Sequence, residues 1–245
     1  MKQVAWDSVG LNFWRLGRDT AKPSRDTLDW YMEDVTKTSS VLIVGGTTVD
    51  LIKAIEGTGA RLSVVDFSSR ICVELRDHIS TETKVINQDV VNDFSGWGES
   101  YDLICSDTLI NRFDSNETKC FQENMYSILN NNGKMKSTVK IGMYPMDQEM
   151  IEYSRNNNMS IDFWDEENNT IDYSKAKPIL EGGLLPHGKI NKEDLLAWYG
   201  NRGKEKRFNE DDLRLLFSDW SSVSIIKDYN DRVRVEAEKK STLGV

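Results

Sequence analysis

Nowhere does this chain run apolar for the roughly 18 residues that a bilayer-spanning helix needs. Its opening, MKQVAWDSVG, also lacks the apolar stretch of a secretory signal. Positive charge is scarce: 31 Lys and Arg against 40 Asp and Glu leave a formal charge of −9, a field that repels phosphate backbones and anionic lipid. Nucleic acid and membrane are therefore not expected as partners. Cysteine is rare and odd in number; Cys72, Cys105 and Cys120 are widely spaced with no CxxC or Cys/His ligand pattern, which predicts buried free thiols and no structural zinc. A cytoplasmic setting is expected, and no metal site is read from the sequence. Oligomeric state is left open, a homo-oligomer included.

What is present is a full domain's worth of alternating pattern. At 245 residues the chain is long enough to bury one large core. Short β-branched runs at Val41–Val44, Leu62–Val65, Lys84–Asn87, Leu103–Cys105 and Lys136–Ile141 read as strands, and 49–57, 68–79 and 116–130 as amphipathic helices. That alternation predicts a parallel sheet covered on both faces. In the helix of 116–130, Cys120, Phe121, Met125, Ile128 and Leu129 share one stripe, and NNNG ends it with Gly133 as the left-handed residue.

Four segments follow. Residues 1–39 read as a helical lid with Ser24 capping a helix, and 40–142 as the sheet core. Residues 145–205 read as an insertion with helices at 146–156 and near 191–199. Residues 206–245 read as a C-terminal helix and a closing hairpin that turns at Asn230-Asp231. The basic run RGKEKR at 202–207 reads as a solvated loop.

In an open α/β sheet the ligand crevice lies beyond the carboxyl ends of the strands. Those ends hold Gly45, Gly46 and Thr47; Asp66 and Phe67; Asp89 and Val90; and Ser106, Asp107 and Thr108. The two glycines let backbone approach a ligand, and Thr47 with Asp50 predicts a capping-box-like helix start. Asp66, 21 positions after Gly45, suits a ribose diol, with a strand-end cap for Ser68 and Ser69 as the plainer alternative. Asp89 suits an adenine amino group. A dinucleotide fingerprint needs further glycines to seat a pyrophosphate, yet Thr47, Thr48 and Val49 follow Gly46.

In order and spacing, VLIVGGTTVDL, LSVVDFSSRI, VINQDVVNDF, YDLICSDTLINRF and LNNNGKMKSTVKI resemble motifs I to V of class I S-adenosylmethionine-dependent methyltransferases. Trp6, Gly17, Pro23 and Ser24 resemble the W…G…PS opening of a small-molecule subgroup that tolerates a glycine-poor motif I. The resemblance implies an α/β, Rossmann-like seven-stranded methyltransferase fold with a helical N-terminal lid and an insertion after the fifth strand. It implies S-adenosyl-L-methionine as cofactor and methyl transfer to an oxygen, nitrogen or carbon of a small-molecule acceptor. Gly45, Gly46, Thr47, Asp66, Phe67, Asp89, Val90 and Ser106 would then hold the cofactor, with Arg25 or Thr47 as candidates for its carboxylate. Asp107 and His187 are the candidate acid–base groups. Tyr31, Trp14, Arg25 and Thr108 would lie along the lid or substrate side. Non-methylating chemistry on the same cofactor, a nicotinamide dehydrogenase and a non-catalytic scaffold are the alternatives.

Overall fold

The computed structural model describes residues 2–17, 22–91, 97–183, 189–229 and 231–241. Helices α1 (Lys2–Val9), α2 (Asn12–Leu16) and α3 (Arg25–Met32) precede the sheet. Ser24 caps α3 by accepting the Thr27 N–H, which fixes the start of that helix. The chain then runs β1 (Ser40–Val44), α4 (Val49–Glu56), β2 (Arg61–Asp66), α5 (Ser69–Leu75), β3 (Lys84–Asn87), β4 (Tyr101–Asp107), α6 (Ser115–Ile128) and β5 (Leu129–Lys140). After α7 (Pro145–Asn156) come β6 (Trp164–Asp165), β7 (Thr170–Asp172), α8 (Lys177–Gly183), α9 (Lys192–Gly200) and β8 (Lys204–Lys206). The elements α10 (Glu210–Leu216), β9 (Ser222–Lys227) and β10 (Arg232–Glu238) end it.

The main sheet has seven strands in the order β3-β2-β1-β4-β5-β10-β9. Strands β1 to β5 are parallel; β10 lies antiparallel to β5, and β9 antiparallel to β10. Every residue of β1 is buried because both faces are covered: Leu42 and Val44 belong to one core, Val41 and Ile43 to the other. The order reverses between β1 and β4, which opens the crevice where a doubly wound sheet binds ligands. The insertion builds its own three-stranded sheet, β6-β7-β8, and a third core that takes in Ala5 and Val9 of α1.

Several local expectations are corrected. Cys120 is exposed, and Thr118 takes the buried position on α6, whose start is fixed by a capping box of Asp114 and Glu117. The left-handed residue of NNNG is Asn132 (φ 60°). Gly133 serves close approach instead: a Cβ there would stand 2.9 Å from the Asn130 carbonyl oxygen. Glu181, Gly182 and Gly183 form the end of α8. The run 202–207 is not a solvated loop; Arg202, Glu205 and Arg207 are all buried. At the hairpin Asp231 carries a φ of 58°, and Asn230 lies outside the described residues.

Candidate functional site

A cavity lies over the carboxyl ends of β1 to β4, walled by α1, α2 and the segment after β4. The two glycines after β1 do different work. Gly45 has φ 106° and nothing within 4 Å of where a Cβ would stand, so it faces open space in the cavity. Gly46 faces inward, where a Cβ would meet Ile71 Cγ2 at 2.7 Å. Gly46 is thus a helix-packing glycine and not a lining residue. Replacing Gly46 with Ala is expected to lower the melting temperature of the empty protein, since α5 must shift. Gly45→Val, by comparison, should weaken adenosyl-ligand affinity more than its positive-φ strain lowers stability; equal thermal and binding profiles for the two variants would overturn this division.

The expected capping box at α4 is absent. Thr48 holds the N-cap position without a side-chain hydrogen bond, and Asp50 accepts instead from Trp14 Nε1 at 3.0 Å. Thr47 and Thr48 line the cavity beside this uncapped helix start, whose backbone N–H groups carry partial positive charge. Asp66, at the end of β2, is 8% exposed and joins both earlier readings. Its carboxylate accepts the Gly46 N–H at 2.7 Å and the Ser68 N–H at 2.8 Å while lining the cavity. Burial pushes its carboxyl up to about 6, against the Ser68 and Gly46 hydrogen bonds that lower it and with a further push from Asp7. Ser68 itself caps α5 by accepting the Ile71 N–H.

Phe67, Asp89, Val90, Asp107, Thr108 and Trp14 also line the cavity. Asp89 Oδ1 accepts the Val91 N–H at 2.9 Å, which shapes the turn after β3. Thr108 carries a φ of 50°, an uncommon conformation for threonine, and its N–H bonds the Thr138 carbonyl at 3.0 Å and hydroxyl at 3.1 Å. Asp107 accepts from the Thr138 hydroxyl and stands 3.6 Å from Arg232 Nη1. Burial raises its carboxyl, with Arg232 and Thr138 opposing. Its first role is to hold β4 to β5 and β10.

Besides Gly46, three predicted site residues lie elsewhere. The Ser106 hydroxyl is fully buried against Ser137 at 2.7 Å, and Tyr31 donates to the Ser106 carbonyl at 2.7 Å while accepting the Thr138 N–H at 3.1 Å. Both brace the sheet beneath the cavity. Arg25 is exposed and paired with Asp29 at 3.1 Å, since α3 turns it to solvent. His187 lies outside the described residues. No described residue of 145–205 lines the cavity; the insertion supports its wall through Trp198, which packs on Trp6 and Phe13 at 5.6 and 5.0 Å. Arg112, Lys2 and Phe113 line the cavity without having been singled out. Only the position of INRF just past the fourth strand could have flagged Arg112.

No family model and no curated protein matches the sequence. Among solved structures, the chain is 30% identical to a protein from Rhodobacter sphaeroides whose name assigns it, provisionally, to the Zn-dependent alcohol dehydrogenases; 98% of each chain is covered at TM-score 0.89. A Pyrococcus horikoshii OT3 protein matches at 15% identity, covering 94% of this chain and 99% of its own, at TM-score 0.61. The N-methyltransferase NodS from Bradyrhizobium japonicum WM9 matches at 11% identity, 89% and 96% coverage and TM-score 0.51. Other matches of this fold were solved with S-adenosylmethionine or S-adenosylhomocysteine. Among the described residues no group of three His, Cys, Asp or Glu side chains is placed to hold a metal ion, so they do not fit a zinc centre of the kind that the Rhodobacter name implies. The chain belongs to one family with the Rhodobacter protein, and its fold is the Rossmann-like class I methyltransferase fold.

Proposed function

We propose that the protein binds S-adenosylmethionine and transfers its methyl group to a small-molecule acceptor. The observation that carries this reading is the pairing of Gly45 and Asp66 at the ends of adjacent parallel strands, one opening the cavity and the other presenting a buried carboxylate into it. In it Asp66 accepts hydrogen bonds from a ribose diol, Asp89 borders the adenine, and Phe67 packs nearby. The uncapped start of α4, with Thr47 and Thr48, offers N–H donors to the carboxylate of the amino-acid end.

The bound cofactor would supply an activated methyl on sulfur, displaced in line by an oxygen, nitrogen or carbon nucleophile. The chain's own contribution is alignment and exclusion of water, with Trp6, Phe13 and Trp14 closing the cavity wall. Asp107, held by Thr138 and Arg232, is a positioning group at the acceptor end. A nicotinamide reading is less supported, because Gly46 is spent on packing and no further glycine follows to admit a pyrophosphate.

Calorimetry on purified protein tests this. S-Adenosylmethionine and S-adenosylhomocysteine are expected to bind at micromolar affinity and NAD not at all; binding of NAD alone, or of none of the three, would overturn the reading. Consumption of S-adenosylmethionine without a second substrate would redirect it to non-methylating chemistry.

A further inference from the structure

The insertion meets the segment after β4 through an ionic cluster whose members Asp147, Arg202, Glu205 and Arg207 are buried. Glu205 accepts from Arg202 Nε at 2.6 Å and from Arg207 Nη1 at 3.3 Å. Asp147 accepts from Arg207 Nε at 2.6 Å and Nη2 at 3.1 Å, and from the Tyr173 hydroxyl at 3.1 Å. Arg112 is the third guanidinium, 3.8 Å from Glu205 Oε2 and 5.5 Å from the centre of the Trp198 ring. Three guanidiniums thus face two carboxylates, both already engaged by Arg202 and Arg207.

The surplus positive charge falls on Arg112, the one member of the three that lines the cavity. Its side chain is 19% exposed and makes no hydrogen bond to the described residues. Two acids of the cavity wall are occupied: Glu117 by Lys2, and Asp107 by Thr138 and Arg232. Lys140, lowered by burial and by Arg232 and Arg112, adds to the positive field behind it. Phe113 stands beside it in the wall, with Phe13 and Trp6 in the same lining.

We infer that Arg112 is a carboxylate-recognition residue for the methyl acceptor, which carries its carboxylate on an aromatic or otherwise apolar body. A half-buried guanidinium with open donors favours an anion and offers it paired N–H groups, and the surrounding rings provide the apolar surface. The other carboxylate in such a site, that of the cofactor, is served by the uncapped start of α4 on the β1 side. Arg112 follows β4, on the far side of the switch from Asp66 and Asp89.

This inference rests on the proposed function, and the experiment separates the two. Protein saturated with S-adenosylhomocysteine is titrated with benzoate and phenylacetate, with benzamide as the neutral control. The acids are expected to bind at least tenfold more tightly than the amide. Arg112→Gln should remove that preference, and Arg112→Lys should keep part of it. Glu205 retains Arg202 and Arg207 in both variants, and unchanged affinity for S-adenosylhomocysteine and methylthioadenosine reports an intact site. Equal binding of acid and amide, or no binding of the acids, overturns the inference and leaves the cofactor reading standing. So does an Arg112→Gln variant that loses affinity for S-adenosylhomocysteine but not for methylthioadenosine, which would assign Arg112 to the cofactor's own carboxylate. Failure of wild type to bind S-adenosylhomocysteine would instead strike the proposed function.

Discussion

Asp66→Asn is expected to lower affinity for S-adenosylhomocysteine roughly 100-fold or more while the protein stays folded. Two hydrogen bonds from a ribose diol to a carboxylate contribute about 1.5–3 kcal/mol each, and the amide offers one acceptor oxygen where the carboxylate offers two. That remaining oxygen can keep only one of the Gly46 and Ser68 N–H bonds, a local loss of about 1–3 kcal/mol. Calorimetry paired with a melting curve checks both parts; unchanged affinity would remove the ribose role.

The pH dependence follows from the raised carboxyl. With a folded value of about 6, the ligand-accepting form is lost as pH falls through 6, and affinity should drop by up to about tenfold per unit. Stability runs the other way. The native state keeps a proton that the unfolded chain has released, so the contribution of Asp66 is fully present below the unfolded carboxyl value and is lost as pH rises through about 6. Asp66→Asn should therefore gain on wild type in melting temperature between pH 5 and pH 7.

Asp147→Ala is expected to be the most destabilising single change in the insertion. Its carboxylate takes two guanidinium bonds from Arg207, the Tyr173 hydroxyl and the Tyr144 N–H, all in a fully buried setting. Removal leaves the buried Arg207 with Glu205 alone, a carboxylate it shares with Arg202 and Arg112, at a cost of about 3–5 kcal/mol and a melting temperature lower by roughly 10 °C. Asp147→Asn should lose less, since it keeps an acceptor. Burial would raise the Glu205 carboxyl, but Arg202, Arg112 and Arg207 hold it at about 2, so this neighbour stays ionised and cannot adjust by taking up a proton. An unchanged melting curve for the Ala variant would show that the cluster makes no net contribution.

The strand-end positions were legible because each is punctuated: an apolar run stops at a glycine pair or an aspartate, and a helix pattern begins. The same logic located the hairpin and the Ser24 cap. Ser106 misled because a parallel strand buried on both faces turns alternate residues inward, and no period separates a residue beneath a cavity from one lining it; Tyr31 misled because the buried face of α3 carries its hydroxyl to the Ser106 carbonyl beneath the cavity. RGKEKR misled for a different reason. Its charges look solvated until Asp147, some sixty positions earlier, is brought beside Arg207, and such pairing leaves no local trace. Arg112 was invisible on the same grounds, since its open donors depend on which acids its neighbours have already claimed.

The pairing of β10 with β5 also sets an order of events. Arg232 stands opposite Lys140 and Glu238 opposite Lys134, with the whole insertion lying between these partners in sequence. During synthesis the edge of β5 stays bare until β9 and β10 leave the ribosome, and a long loop must close before they can cover it. Asp107 receives its Arg232 partner only at that moment, so the floor of the cavity sets only after the whole insertion has been made.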